Sequence, residues 1–265
     1  MVDAQNLLDQ VDALFRAGRI SQAEEVLNSA LQQASQCENN SLCITIYNEL
    51  NGLYRSTGRV NKAIEASDKA LALILSIGAA NTTQHATSLI NAATARRMAG
   101  EEDAALQQFL QAERILHTLG RQNSYEMASL RNNISQIYQD KGFHEEALST
   151  LDKALSTVQS LENCEGDVAT TRVNRAISLM RLGRFTQAEA ELSQALNYYT
   201  SPQGVNSGHV GAALSAAGEL AMHKGDFKKA DKMFENALTV TKARFGKNYA
   251  TDVIENNLAK VRGKL

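Results

Sequence analysis

A glycine that recurs at nearly constant spacing is the feature that most constrains how this chain of 265 residues can fold. Successive members of the series lie 40 to 42 residues apart. The series is Gly18, Gly58, Gly100, Gly142, Gly183 and Gly225. Alanine stands five and twelve residues after every one of them, from Ala23 and Ala30 in the first repeat to Ala230 and Ala237 in the last. Self-similarity at a fixed period predicts a repeat architecture in which each repeat is one supersecondary unit.

Each repeat has the pattern of two helices joined by a short turn. The glycine supplies a positive φ or a close approach in that turn, and alanines seven residues apart lie on one helix face where a neighbouring backbone comes close. Four residues before the glycine, the chain has Leu or Tyr in four repeats but Arg96 and Ala221 in the third and sixth. We expect the helices that carry Arg96 and Ala221 to pack less firmly than their counterparts.

Composition favours helices and excludes several functions. The chain has one Pro, no Trp and 5% aromatic residues, so a mostly helical protein is expected. A net charge of -2 offers no basic surplus for nucleic acid. Since there is no long apolar run and no basic leader at the amino terminus, we expect a cytoplasmic protein without a membrane partner.

Beyond the repeat itself, the linkers and helix starts carry a family resemblance. Leu119-Gly120 leads to Asn132-Asn133, and the last segment reads Asn256-Asn257-Leu258-Ala259. With the glycine and alanine pattern, these residues resemble tetratricopeptide repeat proteins, in particular the 42-residue repeats of the kinesin light chain, although the usual His-Pro of the linker is absent. The resemblance covers about residues 3 to 262. It implies an all-α, right-handed α-solenoid of six helix pairs plus a C-terminal capping helix.

The predicted organisation is one cooperative repeat domain over residues 1–265. The repeats are expected at about 3–37, 41–78, 84–119, 125–161, 166–199 and 208–245, with the capping helix at 249–262. The least repeat-like stretch runs from Tyr198 to Gly211 and contains the only Pro. We expect it to be the longest and most mobile loop.

No set of catalytic or metal-binding residues converges in the sequence. The histidines occupy different positions of the repeat and have no His or Cys three or four residues away. They are His85, His117, His144, His209 and His223. The sequence has no P-loop and no nucleophile elbow. We therefore expect a protein that is not an enzyme, with no cofactor, no metal and no small-molecule substrate.

Asparagine recurs at one position of the first helix, nine residues before the glycine. Asn91, Asn133 and Asn174 hold this position in three consecutive repeats. Asparagine is unfavourable inside a helix because its amide competes for backbone hydrogen bonds. Its repetition at one helix position therefore indicates a role that offsets this cost. In one interpretation each amide bonds the backbone of a neighbouring helix and stabilises repeat stacking. In the other, which the resemblance implies, the amides clamp the backbone of an extended peptide. The residues leave both open.

Helical spacing places further candidate peptide-binding residues on the same face. They are Asn48, Glu49, Arg55, Thr94, Arg97, Gln136, Asp140, Arg181, Glu219 and His223. The arginines would recognise acidic groups through charge-assisted hydrogen bonds, or they are solvated surface residues. Ile177 and Met222 would add apolar contact, or they are ordinary packing residues.

The leading hypothesis is a non-catalytic adaptor whose concave groove binds a peptide segment or a partner protein. One alternative is a structural component that self-associates, and another is a signalling regulator that senses a peptide. We expect a monomer or a weak homodimer.

Overall fold

The computed structural model describes residues 4–247 and 249–265, and within these ranges all regular structure is α-helical. Residue 3, at which the first repeat is predicted to begin, lies outside the described residues. The helices are α1 (Ala4–Arg16), α2 (Ile20–Gln36), α3 (Asn40–Ser56), α4 (Val60–Ser76), α5 (Thr83–Met98), α6 (Glu102–Thr118), α7 (Tyr125–Asp140), α8 (His144–Gln159), α9 (Glu165–Arg181), α10 (Phe185–Tyr199), α11 (Val210–His223), α12 (Phe227–Phe245) and α13 (Tyr249–Arg262). None of the described helices is long and apolar enough to cross a membrane.

The chain divides into two compact units, Met1–Gln122 and Asn123–Leu265. Unit one contains α1 to α6, and unit two contains α7 to α13. In each unit consecutive helices pack as pairs, and the second helix of a pair packs on the first helix of the next. This stacking of helix pairs is the arrangement of an all-α solenoid. That the whole chain forms one domain stays a prediction.

The repeated glycines have the positive φ, and the repeated alanines the burial, that the sequence predicts. All six glycines of the series have a positive φ, between 70° and 81°, in the turn that joins the two helices of a pair. Only glycine adopts this backbone conformation without strain. All twelve alanines are at most 5% exposed, because the helices approach each other closely along this face. Small side chains thus set the distance between helices within and between repeats.

From α3 onward, the first helices of the pairs lie together on one side of their unit. α3 packs on α5 in unit one, and α7, α9, α11 and α13 pack in succession in unit two. In the described part of the chain, no two second helices of neighbouring pairs pack to this extent. We call the side formed by the first helices the inner face of each unit.

The carboxyl-terminal helix covers the apolar side of the last pair. Ile254, Leu258 and Val261 of α13 are buried in one cluster with Ala230 and Phe234 of α12. Their spacing of three and four residues is that of an amphipathic helix with one apolar face.

The loop between α10 and α11 spans residues 200–209 and is the longest connection among the described residues. Tyr198 and Tyr199 belong to α10, and Gly211 belongs to α11, so the loop is shorter than the sequence predicts. Arg244 of α12 donates a hydrogen bond to the carbonyl of Asn206. The loop therefore lies against the end of α12 and does not occupy the inner face of unit two.

Candidate functional site

On the inner face of unit one, two of the predicted asparagines bond to each other. The Asn91 amide on α5 donates to Oδ1 of Asn48 on α3 at 3.1 Å. The Asn48 amide in turn donates to the hydroxyl of Ser88 on α5 at 2.9 Å. Both asparagines are half-buried. The first helices of repeats two and three are thus joined by a reciprocal pair of hydrogen bonds.

Unit two has the same arrangement. The Asn174 amide on α9 donates to Oδ1 of Asn132 on α7 at 3.1 Å, and the Asn132 amide donates to Oγ1 of Thr171 at 2.9 Å. Asn132 follows Asn48 by 84 residues, which is two repeats. The hydrogen bonds therefore recur with a period of two repeats, whereas the asparagine series has a period of one.

These contacts assign a stacking role to two members of the asparagine series. The sequence-based alternative expects each amide to bond a neighbouring backbone, but the acceptors of Asn91 and Asn174 are side-chain oxygens. Backbone acceptors are used as well, because Gln139 donates to the carbonyl of Asn174 at 2.8 Å. An amide can form about four hydrogen bonds, so these bonds leave part of each half-buried amide available to a ligand.

Asn133 differs from the other two asparagines. Its amide donates to the carbonyl of Ser129, one turn back on its own helix, at 3.1 Å. Within the described residues of unit two, its Oδ1 accepts no hydrogen bond, and Gln136 three residues later forms none. Both side chains are half-buried on one face of α7. They are two amides with unused hydrogen-bonding groups.

The remaining candidates of unit two lie on α7, α9 and α11. Arg181 on α9 forms an ion pair with Glu219 on α11, and Asp140 is exposed at the end of α7. Ile177 is half-buried between the positions of Asn174 and Arg181 on α9. His223 stacks on Phe185 of α10 with 5.1 Å between ring centroids, so it lies at the edge of the inner face.

In unit one, Arg55 is a half-buried candidate cation. Its Nε donates to Oδ1 of Asn51 at 2.7 Å, and burial lowers the pKa of its guanidinium. Among the described residues it forms no ion pair. Burial, and after it the charge of Asp12, raises the pKa of the Glu49 carboxyl. Unit one thus presents a half-buried cation and a half-buried acid on α3.

Thr94 and Arg97 lie half-buried on α5. The Thr94 hydroxyl donates to the carbonyl of Ile90 in its own helix at 2.7 Å. The structure therefore joins Asn48 with Asn91 and Arg181 with Glu219, while Thr94 and Asn133 bond within their own helices.

Sequence reasoning missed five residues that complete these networks: Asn51, Ser88, Asn132, Gln139 and Thr171. Asn51 donates to the carbonyl of Ala63 at 3.0 Å and to the Ser67 hydroxyl at 2.6 Å. The hydrogen bonds between asparagines of neighbouring first helices recur every two repeats. An alignment of repeats two and three together with repeats four and five together would therefore have found Asn132 and Thr171. Among the described residues, no three His, Cys, Asp or Glu side chains cluster as metal ligands.

Family models with the description "Tetratricopeptide repeat" match residues 42–116, 126–201 and 173–239, which is more than half of the chain. The first two matches begin 84 residues apart, at 42 and 126, which is also the period of the asparagine hydrogen bonds. A search of curated proteins found no match.

Solved structures give a similar result. BtubC (BKLC) from P. vanneervenii is 25% identical, with a TM-score of 0.67 over 73% of this chain and 78% of that chain. A putative kinesin light chain with TPR-like repeats from Podosopora anserina is 16% identical, with a TM-score of 0.58 over 74% and 94% of the two chains. NprR in complex with its cognate peptide NprX is 14% identical, with a TM-score of 0.75 over 100% and 76%. The fold is an all-α helical-repeat solenoid whose repeats resemble those of kinesin light chain proteins.

Proposed function

Because this chain belongs to the tetratricopeptide repeat family, we propose that it is a non-catalytic scaffold that binds an extended peptide segment of a partner protein on its inner face. The family and the helical-repeat fold support a role in protein interaction. NprR, which shares the fold, was solved with a peptide, so the fold is compatible with peptide binding. No nucleic acid, membrane or small-molecule substrate is part of the proposal.

The pair of amides on α7 carries the proposal. Asn133 and Gln136 are half-buried, and within the described part of unit two the Oδ1 of Asn133 and the whole amide of Gln136 form no hydrogen bond. A partly exposed amide group that no protein group bonds can form its hydrogen bonds to a ligand. A side-chain amide can donate to a peptide carbonyl and accept from a peptide N–H at once. The pair is therefore suited to an extended backbone.

Neighbouring helices would supply selectivity. Ile177 on α9 offers apolar area to a peptide side chain, and the Arg181–Glu219 ion pair offers both charges. The Arg181 side chain is 44% exposed, so exchange of Glu219 for a peptide carboxylate costs little.

The test is a selection of peptides from a random displayed library on the wild-type protein, followed by calorimetry with the enriched peptides. We expect the double variant Asn133→Ala/Gln136→Ala to bind them at least roughly tenfold more weakly, since two hydrogen bonds of about 1 kcal/mol each are lost. Its melting temperature should stay near that of the wild type, because neither side chain joins two helices in the described structure.

Asn236→Ala is the matched control, because Asn236 is exposed on the second helix α12 and away from the inner face. This variant should bind like the wild type. Equal binding by the double variant would place the interface elsewhere. Failure of the library to yield any enriched peptide would contradict peptide binding itself.

A further inference from the structure

A cavity of about 290 Å³ lies between α10, the end of α11 and the start of α12 in unit two. Its apolar wall includes Leu192, Leu196 and Leu220. Glu189 and Lys229 stand at its rim. The cavity is far larger than a water molecule, and a cavity of about 150 Å³ already accommodates benzene. An apolar ring with a polar end fits both its size and its lining.

The corresponding space in repeat two is filled by the chain itself. Tyr54 on α3 occupies the position four residues before the glycine, where repeat six has Ala221. Burial, and after it the nearby charge of Glu24, raises the pKa of the Tyr54 phenol. Arg59 and Lys62 lie over its ring, with 4.7 Å and 5.6 Å from the cation to the ring centroid. Repeat two therefore shows how this gap holds a phenol.

A comparison of equivalent positions shows that repeat six keeps most of the surroundings of that phenol and lacks the phenol itself. Leu50 and Tyr54, which fill the gap in repeat two, are replaced by Ala217 and Ala221. The residues that correspond to Glu24, Leu27, Leu31, Leu53 and Lys62 are Glu189, Leu192, Leu196, Leu220 and Lys229. Carboxylate, apolar wall and lysine are thus retained, and the two large side chains are absent. Arg59, which lies over the Tyr54 ring and pairs with Glu24, is replaced by Asp226, and Lys224 pairs with Glu189 instead.

Other gaps of this kind are occupied. Arg96 holds the position in repeat three and pairs with Asp68 of α4 at 2.8 Å. Leu179 holds it in repeat five and is buried in one cluster with Leu148 of α8. Of the gaps in repeats two, three, five and six, only the gap in repeat six stays open, because the methyl group of Ala221 is too small to fill it.

We propose that this cavity binds the tyrosine side chain of a partner protein segment. The ring would replace water against the leucines, the hydroxyl would donate to the Glu189 carboxylate, and Lys229 would lie over the ring. Lys224 donates to both Glu189 oxygens, at 2.9 and 2.8 Å, and lowers the pKa of Glu189 by that hydrogen bond and by its charge. Glu189 is therefore an ionised acceptor.

The site is separate from the inner face. Ala221 lies two residues from both Glu219 and His223, which is about 200° around a helix. A partner segment could therefore reach the tyrosine cavity without occupying Asn133 or Gln136. The proposal thus adds a second binding site and does not depend on the first.

The test uses N-acetyl-L-tyrosinamide as the probe and follows methyl resonances of the full chain by NMR during titration. We expect saturable binding in the millimolar range, with the largest shifts at Leu192, Leu196, Leu220 and Met233. N-acetyl-L-phenylalaninamide should bind several-fold more weakly, because it lacks the hydroxyl. Shifts spread over the whole chain, or none, would overturn the proposal.

Ala221→Tyr should fill the cavity from within and reduce probe binding at least tenfold. If that variant does not fold, Ala221→Leu serves instead, since Leu179 occupies the same position in repeat five. Wild-type affinity in a folded Ala221 variant would contradict the proposal. Asn133→Ala/Gln136→Ala is the control and should bind the probe normally, which separates this site from the proposed peptide face.

p-Cresol distinguishes a free phenol from a tyrosine residue. Binding of both p-cresol and the tyrosinamide supports a partner side chain that enters from outside. Binding of p-cresol alone would show that the cavity excludes a peptide backbone at its mouth, and it would overturn the docking of a partner segment.

Discussion

At the scale of single residues, ionisation of the Glu49 carboxyl lowers the stability of the folded protein by an amount that can be measured. Burial and the nearby charge of Asp12 both disfavour its carboxylate, so its pKa lies above the ordinary value of 4.5. The folded protein then binds this proton more readily than the unfolded chain does. Stability is therefore lost as pH rises from about the ordinary pKa through the raised one, and the penalty persists at neutral pH.

Glu49→Gln should consequently raise the melting temperature at pH 7, because the amide has the same shape and no charge. The gain should shrink as pH falls below the unfolded pKa, where the wild-type carboxyl is protonated in both states. Thermal unfolding at several pH values measures this, with Glu65→Gln on the exposed face of α4 as control. A lower melting temperature for Glu49→Gln at pH 7 would mean that the carboxylate has a stabilising partner.

The same scale shows what the sequence could and could not predict. Glycine φ and alanine burial followed from the repeat because each depends on geometry that is the same in all six repeats. The partners of Asn91 and Asn174 were missed because their acceptors, Asn48 and Asn132, recur only in alternate repeats. Looser packing at Ala221 was expected from the sequence, but the cavity there and the side chains of α10 and α12 that line it are seen only in the structure.

At the scale of helices, the asparagine bonds predict how firmly the first helices are held together. Asn174→Ala removes a bond between α9 and α7 and leaves Oδ1 of Asn132 without that donor, so we expect a loss of about 1 kcal/mol. Asn133→Ala removes a bond within α7 and gains helix propensity, so its effect should stay within about 0.5 kcal/mol. Urea denaturation compares the two variants. Equal losses would contradict the division between stacking and available asparagines.

The sequence predicts the helix pairs better than it predicts where each helix begins. The sequence predicts the six pairs because each turn contains the glycine, but it extends the last loop to Gly211. Gly211 is buried in α11, where an added Cβ would meet the Thr241 hydroxyl at 2.2 Å. The glycine there permits close helix packing and does not mark a turn. Sequence alone does not separate these two uses.

At the scale of the whole molecule, the repeat architecture predicts how a local defect spreads. Within each unit every helix pair packs on its sequence neighbours, and stability in such arrays is approximately a sum of repeat and nearest-neighbour contributions. Asn91→Ala weakens the contact between α3 and α5 and should speed amide hydrogen exchange in unit one, while α9 to α13 keep wild-type rates. Asn174→Ala should give the converse pattern, with faster exchange in α7 to α9. Mass spectrometry of exchanged peptides resolves the two cases because the helices fall in different fragments. A uniform rise across all helices in either variant would contradict local propagation, and it would support the single cooperative domain that the sequence predicts.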